Sequence, residues 1–180
     1  EAHNRDMKVI MDFVINHTSS EHPWFVAALE DENSEYRNYY RWVYEDDIQD
    51  YDISDTSNWD SKVWHKYGNS YYYGIFNAYM PDLNYNNPAV REEIKEAAGK
   101  WLKMGVDGFR LDAAMHIYGA NEFKQEENLT ENTLTWWNEF ALYCENINPD
   151  VYLVGEAWQD EEVLEEYVQP FDTKFNFAFQ

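Results

Sequence analysis

The sequence predicts an α/β protein built on a parallel sheet, and three observations lead to that fold class. Short apolar runs typical of buried strands alternate with longer stretches of helical period. Polar residues follow the end of each apolar run, as they do at the carboxyl ends of parallel strands. One long stretch without either period, residues 18–86, separates the first strand from the rest. Because strands that alternate with helices are joined by crossovers, we expect parallel strands.

The first predicted strand is a short apolar run of buried type over residues 7–13. The irregular stretch after it is rich in Tyr, Trp, Asn and Asp and is too long for an ordinary loop, which indicates an inserted domain or a lid. Residues 23–29 and 57–64 are its candidates for short helices. Its acidic run at residues 45–47 lacks the Gly and the closing Glu of a calcium-binding loop, so a solvated loop is the better interpretation.

The most regular helix of the sequence begins after Asn87, a good N-cap that is followed by Pro88 at the first helical position. Gly105 supplies its C-terminal stop. The residues expected on its apolar face are Val90, Ile94, Ala97, Ala98, Trp101 and Leu102.

Strands and helices alternate through the remainder of the chain. A strand over residues 108–116 follows the helix at once, and residues 151–156 form another apolar strand that ends in an acid. Asp160 caps a third helix, and a further strand begins at Phe175. The helix between the strands at residues 108–116 and 151–156 ends before Pro149. Its apolar face is expected to contain Leu134, Trp137, Ala141 and Cys144.

The strand over residues 108–116 carries an Arg and an Asp on the same face. Successive side chains of a strand alternate, so Arg110 and Asp112 point away from Phe109 and Leu111. A guanidinium keeps a neighbouring carboxylate ionised and fixes its direction, which suits a nucleophile. A structural ion pair at a strand end explains this pair by itself equally well.

Neighbouring parallel strands are expected to bring Asn16, His17, Asp112 and Glu156 to one end of the sheet. Glu156 ends an apolar strand beside Trp158, and an apolar setting raises a carboxyl pKa toward that of a general acid. Glu156 alone could equally be a strand-end acid that binds a helix N-terminus. Two carboxyl groups with separate roles on adjacent strands, however, are the equipment of a glycosidase.

Composition excludes several other classes of function. The 35 acidic and 13 basic residues give a formal charge of -22, which argues against a general nucleic-acid binder. The single cysteine, Cys144, forbids an internal disulfide, and no apolar run approaches the length of a membrane span. We therefore expect a soluble protein, secreted or cytoplasmic, without membrane or nucleic-acid partners. The chain opens without Met, on residues typical of a helix end, and is expected to be an excerpt of a longer protein.

Three segments resemble three of the four signature regions of the α-amylase family, glycoside hydrolase family 13. They are residues 12–17 (Asp-Phe-Val-Ile-Asn-His), residues 108–116 and residues 155–158 (Gly-Glu-Ala-Trp). Residues 80–84 (Met-Pro-Asp-Leu-Asn) are similar to an additional family region near the end of an inserted domain. Residues 22–25 and 36–42 are similar to the start of that insert, so the resemblance covers essentially the whole chain in the right order.

The resemblance implies a fragment of a (β/α)8 TIM barrel, about strands three to six, with an irregular domain B inserted after strand three. Residues 1–17 would hold strand three and the end of the preceding helix, residues 18–86 domain B, and residues 87–180 the part from helix three to the start of strand six. The first two strands would precede Glu1, and the fourth signature region, with the third acid of the family, would follow Gln180.

The resemblance also implies roles for individual residues. Asp112 would be the nucleophile, Glu156 the acid/base and Arg110 the residue that orients Asp112. His17 and His116 would line the subsite of the sugar being cut, although His17 taken alone is more typical of an ordinary loop or core histidine.

The remaining implied residues bind substrate or metal. Met115 and Trp158 are candidates for substrate contact, and Met115 departs from the Lys that many amylases carry there. Asn16, Asp82 and the main-chain carbonyl of His116 resemble a structural calcium site that joins the barrel to the insert. Their hard oxygen ligands suit Ca²⁺.

The implied activity is retaining hydrolysis of α-glucosidic bonds in an α-glucan or a maltooligosaccharide. The segment at residues 80–84 is intermediate between the forms of oligo-1,6-glucosidases and neopullulanases, and family members of that group with this nucleophile strand are most often α-amylases acting on α-1,4-glucans. An exo-acting α-glucosidase or oligo-1,6-glucosidase is the second alternative, and an amylase-like domain without catalysis is the third. The resemblance favours a bacterial source.

Overall fold

The computed structural model describes residues 1–51, 53–54, 62–118, 129–157 and 175–178. Short 3-10 helices lie at His3–Arg5, Arg37–Tyr39 and Glu45–Asp50. In chain order, the main elements are β1 (Ile10–Phe13), α1 (Pro23–Glu30), β2 (Trp42–Tyr44), β3 (Trp64–Tyr67), β4 (Ser70–Tyr73), α2 (Pro88–Lys103), β5 (Gly108–Leu111), α3 (Leu129–Ile147), β6 (Tyr152–Glu156) and β7 (Phe175–Ala178).

The described residues fall into two compact units. The first contains those of Glu1–Ile15, Arg91–Ile117 and Thr130–Gln180, and the second those of Asn16–Val90 and Tyr118–Leu129. The domain boundaries implied by the resemblance, at residues 17 and 86, stay a prediction.

A four-stranded parallel sheet in the order β1-β5-β6-β7 forms the centre of the first unit. The predicted α/β fold with parallel neighbouring strands is therefore confirmed. Phe109 and Leu111 of β5 are fully buried, whereas Arg110 between them is partly exposed, as alternation along a strand predicts. Among the described residues the sheet does not close on itself.

The start of β5 is held by an ion-pair cluster around Asp107. His3 Nε2 and Lys8 Nζ lie 2.6 and 3.0 Å from its two carboxylate oxygens, and the Val9 amide donates to one of them at 2.8 Å. The amide of Val9, together with the side chains of His3 and Lys8, lowers the pKa of the Asp107 carboxyl below its usual range. The cluster links the segment before β1 to β5.

Helix α2 begins and ends as predicted. The Asn87 side chain accepts a hydrogen bond from the Ala89 amide at 3.0 Å. At the other end, Gly105 has a φ of 101°, and the amides of Gly105 and Val106 donate to the carbonyls of Leu102 and Trp101 in a Schellman motif. The predicted burial of Trp101 is wrong, since 40% of this residue is exposed at the last turn of the helix.

Helix α3 contributes most of the aromatic core of this unit. Trp137, Ala141 and Cys144 are fully buried, as expected, and Leu134 is half-buried. Phe140 adds to this face, and its ring lies 6.4 Å from Phe13 of β1.

Three predictions for the strands and helices of this unit need correction or lie outside the described residues. The first strand is shorter than residues 7–13, and it is not buried, since 47% of Ile10 is exposed. The exposure arises because β1 pairs on one side only in the described sheet. The strand predicted over residues 108–116 ends at Leu111, where the chain turns. The helix capped by Asp160 lies outside the described residues.

The second unit is less irregular than the sequence suggested, because it contains an antiparallel sheet in the order β2-β4-β3. Its buried core includes Val43, Val63, Trp64, Tyr73 and Ile75. Aromatic residues on both faces of β3 and β4, and the three-residue length of β2, hide the alternation by which a strand is normally predicted.

The two short helices predicted in this stretch have different outcomes. Residues 23–29 correspond to α1, whose first turn is capped by the His22 side chain. The helix predicted over residues 57–64 is wrong at its end, because Trp64 belongs to β3, and residues 57–61 lie outside the described residues.

A buried arginine ties the start of this unit together. The Arg37 guanidinium lies 3.4 Å from the Trp42 ring centre and donates to the Ala28 carbonyl and to Ser70 Oγ.

No helix in the described part of the chain is long and apolar enough to cross a membrane.

Candidate active site

One guanidinium joins three carboxylates at the carboxyl end of the parallel sheet. Arg110 Nη1 donates to Asp12 Oδ1 at 2.9 Å and also to Asp112 Oδ1. Arg110 Nη2 forms an ion pair with Glu156 Oε1 at 2.6 Å. The structure therefore brings together all three residues that the sequence predicted to be catalytic.

Strand register explains this meeting of charges. Asp12 of β1 pairs with Arg110 of β5, and Leu111 pairs with Gly155 of β6, so that Asp112 and Glu156 follow at the same level of adjacent strands. The side chains of Arg110, Asp112 and Glu156 are 33%, 26% and 22% exposed, so all three are partly buried and partly accessible to solvent.

The turn after β5 fixes Asp112 relative to the next strand. Ala113 has a φ of 51°, a left-handed conformation that costs a non-glycine residue about 1–2 kcal/mol. The Ala114 amide donates to the Glu156 carbonyl at 3.2 Å, and Trp137 Nε1 donates to the Ala114 carbonyl at 2.8 Å. Strand β6 and helix α3 thus hold the strained turn in place.

The electrostatics favour a charged arginine and a neutral histidine. Partial burial opposes the charge of Arg110, but the hydrogen bonds to Asp12 and Asp112 outweigh burial and raise the pKa of the guanidinium. Burial lowers the pKa of His116, whose amide donates to the Ala113 carbonyl at 2.9 Å within the turn. A neutral imidazole can both donate and accept a hydrogen bond.

The setting of Glu156 differs from the predicted one. The sequence placed it among apolar groups beside Trp158, whereas the structure pairs it with Arg110. Trp158 lies outside the described residues, so its predicted contact with substrate stays a prediction. The arginine that was assigned to Asp112 alone reaches both acids, and the role of Glu156 as the general acid stays a prediction.

Asp12 is the member of this cluster that the sequence analysis missed. It stands in the first of the segments that resemble family signatures, but no role was inferred for it. No local pattern of the sequence could have found it, because the contact depends on the register in which Asp12 of β1 pairs with Arg110 of β5.

Two further predicted substrate-binding residues have described positions. Met115 is half-buried in the turn after β5, in the first unit. His17 belongs to the second unit, where its Nδ1 lies 3.1 Å from Asn16 Oδ1 and its ring packs edge-on against Phe76 at 5.4 Å. The predicted contacts of Met115, His17 and His116 with a sugar stay predictions.

The side chains predicted to bind calcium are buried in the second unit. Asn16 is fully buried, 3% of Asp82 is exposed, and Asp82 forms a bridge with His17, so that the two segments run side by side. Asp82 Oδ1 accepts a hydrogen bond from the Ile75 amide at 3.2 Å. Two buried oxygen-bearing side chains on paired segments fit a hard cation on chemical grounds. In the described ranges, no cluster of three or more His, Cys, Asp or Glu side chains is placed to hold a metal.

Comparison with known proteins gives a consistent result. The family model for the α-amylase catalytic domain matches residues 1–180. Alpha-amylase 3 of Dictyoglomus thermophilum is 45% identical over 98% of the chain, and an oligo-1,6-glucosidase of Parageobacillus thermoglucosidasius is 40% identical over 71% of it. A crystal structure of an α-amylase from H. orenii matches 92% of the chain with a TM-score of 0.77 and 46% identity. The chain spans 32%, 23% and 31% of the lengths of these three proteins.

Proposed function

Because the chain belongs to the α-amylase family of glycoside hydrolases and holds a fragment of its (β/α)8 barrel, we propose a hydrolytic function for the whole protein. It cleaves α-1,4-glucosidic bonds in starch and maltooligosaccharides with retention of configuration. One observation carries the proposal: Arg110 joins Asp112 and Glu156 at the ends of adjacent strands. Retaining glycosidases need two carboxyl groups close together, about 5–5.5 Å apart, and a shared guanidinium holds two carboxylates close together.

The proposed mechanism assigns each member of the cluster a task. Asp112 attacks the anomeric carbon while Glu156, in its protonated form, donates a proton to the leaving oxygen, so that a glycosyl ester of Asp112 forms. Glu156 then takes a proton from water, whose oxygen attacks the same carbon and releases Asp112. Arg110 keeps Asp112 ionised and aimed before the attack. Partial burial lowers the pKa of His116, which favours the neutral imidazole and suits it to hydrogen-bond a sugar hydroxyl.

The preference for α-1,4 bonds rests on the Met-Pro-Asp-Leu-Asn form of residues 80–84 and on the α-amylase names of two of the similar proteins. The alternative is exo-acting cleavage of α-1,6 bonds, which the 40% identical oligo-1,6-glucosidase favours. The chemistry at Asp112 is the same in both cases, so the difference lies in the residues that bind the sugars on either side of the bond.

We expect the whole protein to cleave maltooligosaccharides faster than isomaltose and to release the α-anomer first. Two displacements at one carbon restore its configuration, and NMR spectroscopy during the first minutes of reaction detects the anomer before it mutarotates. A Glu45→Gln variant, which removes a half-exposed carboxylate that is paired with Lys66 in the second unit, should release the same anomer first and keep the same preference for maltooligosaccharides. Initial release of the β-anomer would contradict the retaining mechanism, and faster cleavage of isomaltose would favour the alternative.

We further propose that Asn16 and Asp82 bind a structural Ca²⁺, and the main-chain carbonyl of His116, which belongs to the first unit, stays a predicted ligand. The burial and oxygen chemistry of Asn16 and Asp82 support this proposal.

Calcium should therefore raise the melting temperature of the whole protein above the value in excess chelator. A ligand at 100 times its Kd adds about 2.7 kcal/mol to the free energy of unfolding. Asp82→Asn should remove most of the difference, and Glu45→Gln should keep it. Coincident melting curves for the unsubstituted protein with calcium and with chelator would contradict the proposed site.

A further inference from the structure

Asp12 has no role in the mechanism derived above, yet it shares a guanidinium nitrogen with the proposed nucleophile. Arg110 Nη1 contacts both Asp12 and Asp112, and Nη2 contacts Glu156. Asp12 lies on β1, whereas Asp112 follows β5 and Glu156 is the last residue of β6. The guanidinium is therefore held from a strand that carries neither of them.

The Asp12–Arg110 contact is poorly explained as a stabilising ion pair. In the described sheet, where β1 pairs on one side only, the Asp12 side chain is 64% exposed, and ion pairs at exposed positions add little to stability. Arg110 already has two better-buried carboxylate partners, so a third carboxylate is not needed to offset its positive charge. A role in holding Arg110 at a defined place accounts for the contact better.

We propose that Asp12 is a positioning residue that acts through Arg110 during the reaction. This inference rests on the proposed function. In the two-step mechanism, Asp112 loses its charge when it becomes an ester, and Glu156 loses and regains a proton. Asp12 takes part in neither step, so its charge stays constant while the other two carboxylates change.

The constant charge matters most in the second half of the reaction. Once Asp112 is esterified, its attraction for the guanidinium falls, and Glu156 becomes the stronger partner among the two catalytic acids. Without Asp12, Arg110 would follow Glu156 and would no longer lie beside the Asp112 ester that water must release. With Asp12 in place, Nη1 stays beside β1, and the arginine is ready to stabilise the carboxylate of Asp112 as the ester breaks.

We expect Asp12→Asn in the whole protein to lower kcat by about 10- to 100-fold, because a displacement of about 1 Å in a catalytic site costs on the order of 100-fold. Its melting temperature should stay within about 2 °C of the unsubstituted value, since little stability depends on an exposed pair. Asp12→Glu, which restores the charge, should recover part of kcat. Glu45→Gln, which removes an exposed paired carboxylate in the second unit, should leave kcat unchanged.

A double-mutant cycle with Arg110→Ala tests whether Asp12 acts through the arginine. Rates are measured on a maltosyl fluoride, whose good leaving group keeps weak variants measurable. If the inference is right, Asp12→Asn lowers kcat in the presence of Arg110 and changes it by less than about twofold in its absence. Equal losses in both backgrounds, or a large fall in melting temperature with Asp12→Asn, would overturn the positioning role. An inactive unsubstituted protein would instead contradict the proposed function itself.

Discussion

Replacing Asp112 with Asn in the whole protein should lower kcat on maltooligosaccharides by at least about 10³-fold, because an amide cannot form the glycosyl ester on which the proposed mechanism depends. The fold should survive the change, since Asn is isosteric with Asp and can still accept a hydrogen bond from Arg110. Circular dichroism and melting curves establish the fold, and reducing-sugar release measures the rate.

Two matched variants separate this loss from a general effect of removing a paired acid. Glu156→Gln should be as inactive on maltooligosaccharides as Asp112→Asn. It should keep more activity on maltosyl fluoride, because the fluoride ion leaves without needing a proton. Asp107→Asn removes a carboxylate at the opposite end of β5, where it is paired with His3 and Lys8, and should affect stability rather than kcat. Activity of Asp112→Asn within tenfold of the unsubstituted protein would show that another group is the nucleophile.

The parts of the fold that could be predicted from the sequence are those whose signal is local. Asn87 and Gly105 delimit α2 because a cap and a left-handed stop act within a few residues of the helix ends. The parallel sheet follows in the same way from apolar runs separated by helices. Strands β2 to β4 escaped prediction because each has only three or four residues, and β3 and β4 bear aromatic side chains on both faces.

The candidate site was predictable residue by residue but not as a network. Arg110 and Asp112 stand two apart in the sequence, the first within β5 and the second directly after it, so their contact could be inferred from the predicted alternation alone. The contacts of Arg110 with Asp12 and Glu156 depend on the register between separate strands, which no local pattern of the sequence fixes. Register therefore decides how many carboxylates one arginine serves, and it changed the predicted setting of Glu156.

Strand register also makes Gly108 the residue whose substitution should cost the first unit most. Gly108 pairs with Tyr152 across β5 and β6, and a Cβ at this position would lie 1.9 Å from the Tyr152 carbonyl oxygen and 2.8 Å from its carbonyl carbon. These are main-chain atoms of a hydrogen-bonded ladder, so they cannot rotate away as the end of a flexible side chain can. The two strands would have to separate where β5 begins.

Gly108→Ala should therefore lower the free energy of unfolding of the whole protein by about 3 kcal/mol or more, at the upper end of the cost of overpacking. Gly68→Ala is the matched control, since nothing lies within 4 Å of its Cβ position and only its φ of 59° opposes the change, at a cost of about 1 kcal/mol. Denaturant unfolding of both variants gives the comparison. If Gly108→Ala were no less stable than Gly68→Ala, β5 and β6 could not be as close as the structure places them. The register that brings Asp112 level with Glu156 would then be wrong as well.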